Sequence, residues 1–185
     1  MKSSFPIAAG VVAILAGLSS SALAQSAQPY SGMQNRPIKA LSDQQVADLK
    51  AGRGMGLALA AELNGYPGPS HLIELPDQLG LTSIQLSNLK GMFDAMRSET
   101  IPIGEELVAQ EEELDRLFAE NVISEQQLKA ATENIGETQA RLRNVHLRYH
   151  LRTRALLQPS QIRRYAELRG YGAGPQAPAH HEHNQ

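Results

Sequence analysis

Two long helices are encoded by residues 81–169, which read LTSIQLSNLKGMFDAMRSETIPIGEELVAQEEELDRLFAENVISEQQLKAATENIGETQARLRNVHLRYHLRTRALLQPSQIRRYAELR. From about Ser83 to Glu120, and again from about Glu125 to Leu157, mostly apolar residues recur in alternating steps of four and three, the heptad period of packed helices. Folding these segments back near Asn121 pairs their apolar positions in one antiparallel register: Leu117 with Leu128, Ile103 with Leu142, Met96 with Tyr149 and Leu89 with Leu156. The sequence therefore predicts an all-α fold built on a long antiparallel helical hairpin, with shorter flanking helices.

The predicted helix starts share one local pattern: an apolar residue, Ser or Thr, two further residues, and Gln. At the first long helix these residues are Leu81, Thr82 and Gln85, and the pattern recurs at Ser42 and Ser124. In such a capping box the hydroxyl accepts a hydrogen bond from a first-turn backbone N–H, and the Gln side chain accepts one from the backbone N–H of the capping residue. A fourth copy lacks the hydroxyl but has proline at the favoured first helical position, and its residues are Leu157, Pro159 and Gln161.

One proline interrupts the first long helix. Pro102 cannot donate to the helical ladder and is expected to bend the backbone. The heptad pattern continues through it, so we expect one curved helix and not two helices.

Four segments differ in composition. Residues 1–24 combine Lys2, a short apolar run and a small-residue cleavage pattern, which predict a cleavable secretory signal peptide. The apolar run is short for a membrane span, which needs about 20 residues, so no span is expected after cleavage. We expect the mature protein to be periplasmic. Residues 25–40 are predicted to be a flexible leader, 41–169 the helical domain, and 170–185 a disordered tail that contains histidines.

The composition argues against several classes of protein. A formal net charge of −2 argues against a general nucleic-acid binder. The absence of cysteine excludes disulfides and cysteine nucleophiles. No nucleophile motif or metalloprotease helix is present, and the glutamates follow a solvated heptad face, so we do not expect an enzyme.

Basic and sulfur-containing side chains near the open end of the hairpin are the first candidate binding residues. Arg148, Arg152 and Arg154 belong to the arginine-rich open end of the hairpin. Because Arg152 falls on a predicted seam position, part of this basic surface is expected to line a binding surface. Met92 and Met96 offer adaptable apolar contacts to a varied partner, although methionines at helical spacing also serve as plain core.

Histidines are the second set of candidates. His146 and His150 are four residues apart and share one helical face, where they can hold a metal ion together. Because two ligands do not make a site, the alternative is an ordinary polar surface pair; His71 has no second histidine at this spacing. In the tail, His180, His181 and His183 can capture Zn²⁺ or Cu²⁺ weakly, or can be incidental.

The box at Leu81, Thr82 and Gln85, the hairpin, and the second box at residues 157–161 resemble the LTxxQ family of exported proteins. That family comprises the Spy/CpxP chaperones and the ZraP- and CnrX-like heavy-metal-responsive proteins. The resemblance covers residues 81–169 and departs from the pattern at Gln158, where threonine is usual. It implies a homodimeric cradle that binds unfolded envelope proteins without ATP or a required cofactor. Its metal-sensing members imply the alternative, a periplasmic sensor that binds Zn, Cu or Ni.

Overall fold

The computed structural model describes residues 29–171, and the contacts given below all lie within residues 32–171. The predicted signal peptide, the first leader residues and the tail with His180, His181 and His183 lie outside the described residues. The described part forms six α-helices and no strand, which confirms the predicted all-α class. They are α1 (Asp43–Lys50), α2 (Leu59–Glu62), α3 (Pro69–Ile73), α4 (Ser83–Ala119), α5 (Glu125–Ala155) and α6 (Pro159–Arg169).

Helices α4 and α5 form the hairpin, and their packing agrees with most of the predicted register. Met96 clusters with Tyr149 and Val145 in the middle of the hairpin. Ile103 packs into the cluster that contains Leu142, and Leu89 shares a third cluster with Leu156. At the tip, Leu117 is buried but Leu128 is 38% exposed, so this last predicted pair does not close. The seam is therefore tight along most of its length and looser at the turn.

Arg152 does not occupy the seam, contrary to the heptad prediction. Its side chain is exposed, and the neighbouring Thr153 is fully buried in its place. An α-helix has 3.6 residues per turn and drifts by about 20° for each heptad, so a strict count of 3.5 fails near the end of a long helix. The buried face of α5 has moved on by one residue at this point.

The helix starts carry the predicted caps. Hydroxyl oxygens accept from the backbone N–H of the Gln residue at 3.2 Å for Ser42, 3.1 Å for Thr82 and 3.3 Å for Ser124. In each of these three boxes the Gln Oε1 accepts a hydrogen bond from the capping residue's own backbone N–H. At α6 a side chain makes only one of the two bonds of the box: Gln158 N donates to Gln161 Oε1 at 2.9 Å. This half-box and Pro159 together begin α6 at the predicted residue.

Helix α4 runs without interruption through Pro102, as predicted. Two residues later, Gly104 is the point at which α1 crosses α4, because a Cβ there would collide with the Leu49 carbonyl. Only glycine permits this close approach of two backbones. The leader also contributes to this region, since Ile38 is buried in the same cluster and Lys39 pairs with Asp115 at 2.8 Å. The packed domain therefore begins before residue 41.

The short helices cover one side of the hairpin. Helices α1 and α3 pack on α4, while α2 packs on α5. Within the described part of the chain, no helix is both long and apolar enough to cross a membrane. The other side of the hairpin keeps an exposed strip, which includes Gly91, Ala95 and Arg152. Two surfaces result, one enclosed by the short helices and one open.

Candidate functional site

The enclosed side contains a small cavity of about 190 Å³ between α2, α3 and the hairpin. Its wall brings together side chains that are far apart in the sequence. We call it the histidine pocket and define it by Met55, Glu62, His71, Met96, His146 and His150.

Glu62 lies at the centre of the hydrogen bonding in the histidine pocket and is only 5% exposed. Its carboxylate accepts from the Tyr165 hydroxyl, from Gly68 N at 3.1 Å and from the Tyr171 hydroxyl at 3.2 Å. Burial alone would raise its pKa, but the neighbouring His71, the Tyr165 hydroxyl and Gly68 N–H lower the pKa to about 2. Glu62 is therefore an ionised, buried carboxylate at neutral pH.

Two imidazoles stand beside this carboxylate. His71 Nδ1 is 3.2 Å from one oxygen of Glu62, outside hydrogen-bond geometry. His150 Nδ1 is 3.7 Å from the other oxygen and 2.6 Å from the Tyr66 carbonyl. Because a carbonyl only accepts, His150 Nδ1 carries the proton, and in the neutral ring Nε2 has the lone pair. Gly68 leaves room at this nitrogen, since a Cβ there would lie 2.8 Å from Nε2.

His146 is the third imidazole, and it has an unusual environment. The residue is 2% exposed and its Nε2 has no hydrogen-bond partner among the described residues. Burial, together with the nearby His150, lowers the pKa of His146 to about 4. The ring is therefore neutral at pH 7, which is the protonation state that binds metal ions.

Met55 is held in a strained backbone conformation at the edge of the histidine pocket. Its φ of 44° is left-handed, a region that non-glycine residues other than Asn and Asp rarely occupy. The only other described non-glycine residue with positive φ is Asn121, at the hairpin turn, where asparagine is well tolerated. Strain of this kind concentrates at functional positions. Here it accompanies a thioether that lines the pocket.

The histidine pocket contains metal-binding side chains without a finished coordination shell. Across residues 29–171, no group of three or more His, Cys, Asp or Glu side chains is close enough together to hold a metal ion. Its imidazole and thioether groups suit late transition metals, and the carboxylate adds a negative charge. The chemistry of the donor set fits such an ion, and the orphaned Nε2 of His146 is the atom best placed to gain a partner.

The open side of the hairpin carries a shallow groove of about 530 Å³. We call it the hairpin groove; it is lined by Ser87, Asn88, Gly91, Met92, Ala95, Tyr149, Arg152 and Leu156. The Arg152 guanidinium lies 5.1 Å from the centre of the Tyr149 ring. The groove thus combines apolar surface with one exposed cation.

The five predicted client-binding residues separate into two groups. Met92 and Arg152 line the hairpin groove. Met96 is instead buried in the core, and Arg148 pairs with Glu99. Arg154 donates to the Gly65 carbonyl and stacks 4.2 Å from the centre of the Tyr66 ring. Met96, Arg148 and Arg154 therefore make contacts within the fold, and the two arginines do not form a free basic surface.

The two LTxxQ-like boxes meet in space. Gln85 Nε2 donates to Gln161 Oε1 at 2.9 Å, and Gln161 Nε2 donates back to Gln85 Oε1 at 3.1 Å. Gln85 also donates to the Leu156 carbonyl at 2.9 Å. Leu81 packs into the cluster that contains Leu157. These motif residues therefore close the open end of the hairpin, which is a structural role.

His146 and His150 are both buried and line the same cavity, so they are not an ordinary polar surface pair, and their binding of a metal ion stays a prediction. Sequence analysis missed Glu62, Met55 and the contribution of His71. One signal was present: Glu62 is the single charge in the apolar run LALAAEL at residues 57–63. A lone carboxylate in such a run indicates a buried polar role, since an unpaired buried charge is costly.

Comparison with protein-family models, with curated proteins and with solved structures finds no match for this chain.

Proposed function

We propose that this is an exported metal-binding protein of the heavy-metal-responsive type, and that the histidine pocket holds the ion. The observation that carries the proposal is the buried, neutral His146, whose Nε2 has no partner. An unsatisfied buried polar atom costs about 1–3 kcal/mol. A metal ion satisfies such a nitrogen, and the pocket provides further donors within the same cavity.

The donors come from different elements. His146 and His150 belong to α5, His71 to α3 and Glu62 to α2. One ion coordinated by residues from α2, α3 and α5 would link these helices. Because the ion binds the folded chain and not the unfolded one, it would stabilise the docking of the short helices on the hairpin. This gives a physical route from metal concentration to a change in structure.

The nature of the donors selects the class of ion. Imidazole and thioether ligands favour Cu, Ni and Zn over Mg²⁺ and Ca²⁺, which prefer oxygen. Met55 lies at the pocket edge, where a thioether favours Cu(I). We therefore expect Cu and Zn to bind more tightly than Mg²⁺.

Calorimetric titration of the metal-free mature protein with Zn²⁺, Cu²⁺, Ni²⁺ and Mg²⁺ tests this proposal. His146→Asn should remove the tightest site and the metal-dependent rise in melting temperature. The matched control replaces His180, His181 and His183 with Asn, which should leave that site intact. If the tail variant loses the site and the His146 variant keeps it, the pocket proposal is wrong.

A second candidate function is ATP-independent binding of unfolded envelope proteins, and the hairpin groove favours it. The groove presents Met92 and an exposed Arg152 on the side that the short helices leave open. Long-range attraction by Arg152 would speed the capture of acidic unfolded chains, and apolar contact would then retain them. A homodimer would place two such grooves in one assembly.

Suppression of client aggregation in metal-free buffer tests the second candidate. Gly91→Leu should fill the hairpin groove and reduce protection, whereas Gly136→Leu, at another exposed helical glycine, should not. Arg152→Glu should slow capture and reduce its salt dependence, while Arg163→Glu serves as the charge control. Full protection by Gly91→Leu and Arg152→Glu together would remove this candidate.

A further inference from the structure

A third cavity, of about 660 Å³, lies between α1, the loop that follows it and the hairpin. We call it the leucine cleft. Its apolar lining consists of Leu41, Leu49, Met55, Leu57, Leu107 and Leu142. Its volume falls in the range of about 300–1,000 Å³ typical of small-molecule sites. The cleft shares Met55 with the histidine pocket, but neither the metal proposal nor the client proposal uses the rest of its lining.

One side of the leucine cleft is formed by two small, exposed residues that are one turn apart on α5. Gly136 and Ala140 line the cavity, and a Cβ at Gly136 would meet no atom within 4 Å. Larger side chains at these positions would occupy the volume that the leucines enclose. The cleft is therefore maintained by side-chain size and not by a backbone distortion.

The charged residues of the leucine cleft are Asp48, which is paired, and Arg143, which within residues 29–171 is not. Asp48 is already engaged by Arg53 Nε at 2.5 Å and Gln44 Nε2 at 2.8 Å. Arg143 is exposed and forms no salt bridge or side-chain hydrogen bond with any residue that the structure describes. An apolar cavity with one unpaired guanidinium at its edge complements a molecule with an apolar body and an anionic end.

We propose that the leucine cleft binds a single-chain anionic amphiphile of the fatty-acid class. The alkyl chain lies along the leucines and the carboxylate is held at Arg143. A peptide segment fits the cleft less well, because its backbone N–H and C=O groups need partners. Besides Asp48 and Arg143, the polar lining offers only the amides of Gln45 and Gln139. An alkyl chain needs no such partners.

Fluorescence titration of the mature protein with 11-(dansylamino)undecanoic acid tests this inference. We expect saturable binding of one probe per chain and displacement by dodecanoate. Dodecanol, which lacks the charge, should displace the probe at least tenfold more weakly. Arg143→Gln should abolish this preference while leaving dodecanol unaffected. Binding that is not saturable, or that dodecanol competes for equally in the wild-type protein, would overturn the proposal.

Two helical glycines provide matched variants for the same titration. Gly136→Leu should weaken probe binding at least tenfold, and Gly91→Leu, in the hairpin groove, should leave it unchanged. Both changes replace glycine by a better helix former, so circular dichroism should show the fold retained. Equal losses in both variants would show that the probe binds elsewhere. Displacement by a reduced, carboxymethylated polypeptide but not by dodecanoate would identify a peptide groove instead.

Discussion

At the residue scale, His146 and Glu62 show how burial changes the chemistry of a side chain. His146 has its pKa lowered to about 4 by burial, while Glu62 has its pKa lowered to about 2 by the donors around it. Both groups therefore bind fewer protons in the folded chain than in the unfolded one. The free energy of unfolding is therefore higher at neutral pH than in acid.

Stability should fall with acidification in two windows. The His146 pKa is 6.5 in the unfolded chain and about 4 in the folded one, so the unfolded state binds more protons between these values. The free energy of unfolding should therefore drop by about 3 kcal/mol as pH falls through this range, at about 1.4 kcal/mol per pH unit. Urea unfolding of the chelator-treated protein measures this slope.

His146→Gln should flatten the curve between pH 6.5 and 4, because glutamine does not titrate. Glu62 should still cause a loss below about pH 4.5 in both proteins, since its pKa is lowered from 4.5 to about 2. An unchanged slope in the His146 variant would show that another group is responsible for the upper window.

At the element scale, the two LTxxQ-like boxes act as a clasp between helices. Gln85 caps α4 and at the same time bonds Gln161 of α6 and the carbonyl of Leu156 at the end of α5. Gln161 is 9% exposed and also donates to the Gly80 carbonyl at 3.3 Å. One short motif thus begins a helix and fastens it to the end of the hairpin.

A double-mutant cycle on Gln85 and Gln161 should show strong coupling. Each alanine variant should cost about 1–3 kcal/mol of unfolding free energy, because buried partners lose their hydrogen bonds. The double variant should cost at least 0.5 kcal/mol less than the sum, since either change removes the shared bonds. Urea unfolding measures all three variants.

Gln127 is the matched control, because its side-chain bonds serve only its own box at the hairpin tip. Gln127→Ala should cost about 1 kcal/mol and add to Gln161→Ala without coupling. Additive behaviour of Gln85 with Gln161 would contradict the clasp.

At the scale of the whole molecule, the short helices cover one side of the hairpin and leave apolar side chains exposed elsewhere. Ile84 is 73% exposed, Leu151 59%, Val122 54% and Phe118 53%. Exposed apolar surface is typical of regions that contact another protein. We expect a second copy to bind on the open side, where the hairpin groove lies.

We predict a homodimer in solution through the open side of the hairpin. Sedimentation velocity should show a concentration-dependent dimer, and Ala95→Glu, in the hairpin groove, should shift it towards monomer by placing a charge on the contact surface. Leu63→Glu, an exposed leucine just beyond α2, should have little effect. A monomer at every concentration tested would contradict the prediction.

The boundaries of α4, α5 and α6 and most of the hairpin register followed from the amino-acid sequence. Caps at Thr82 and Ser124, and the pairing of Ile103 with Leu142, depend on residues close in sequence or on one regular spacing. Such signals are local, so each can be read without knowing the rest of the fold. The errors arose where a helix drifts from the ideal heptad, as at Arg152.

The candidate sites depended on tertiary packing. The contacts of His150 with Tyr66 and of Tyr165 with Glu62 each join residues more than 80 positions apart. They exist because short helices without a periodic pattern settle on one side of the hairpin. Periodicity shows that a helix has an inward face but not which other surface a neighbour will cover. For this reason the burial of the histidines and the three cavities became visible only in the folded chain.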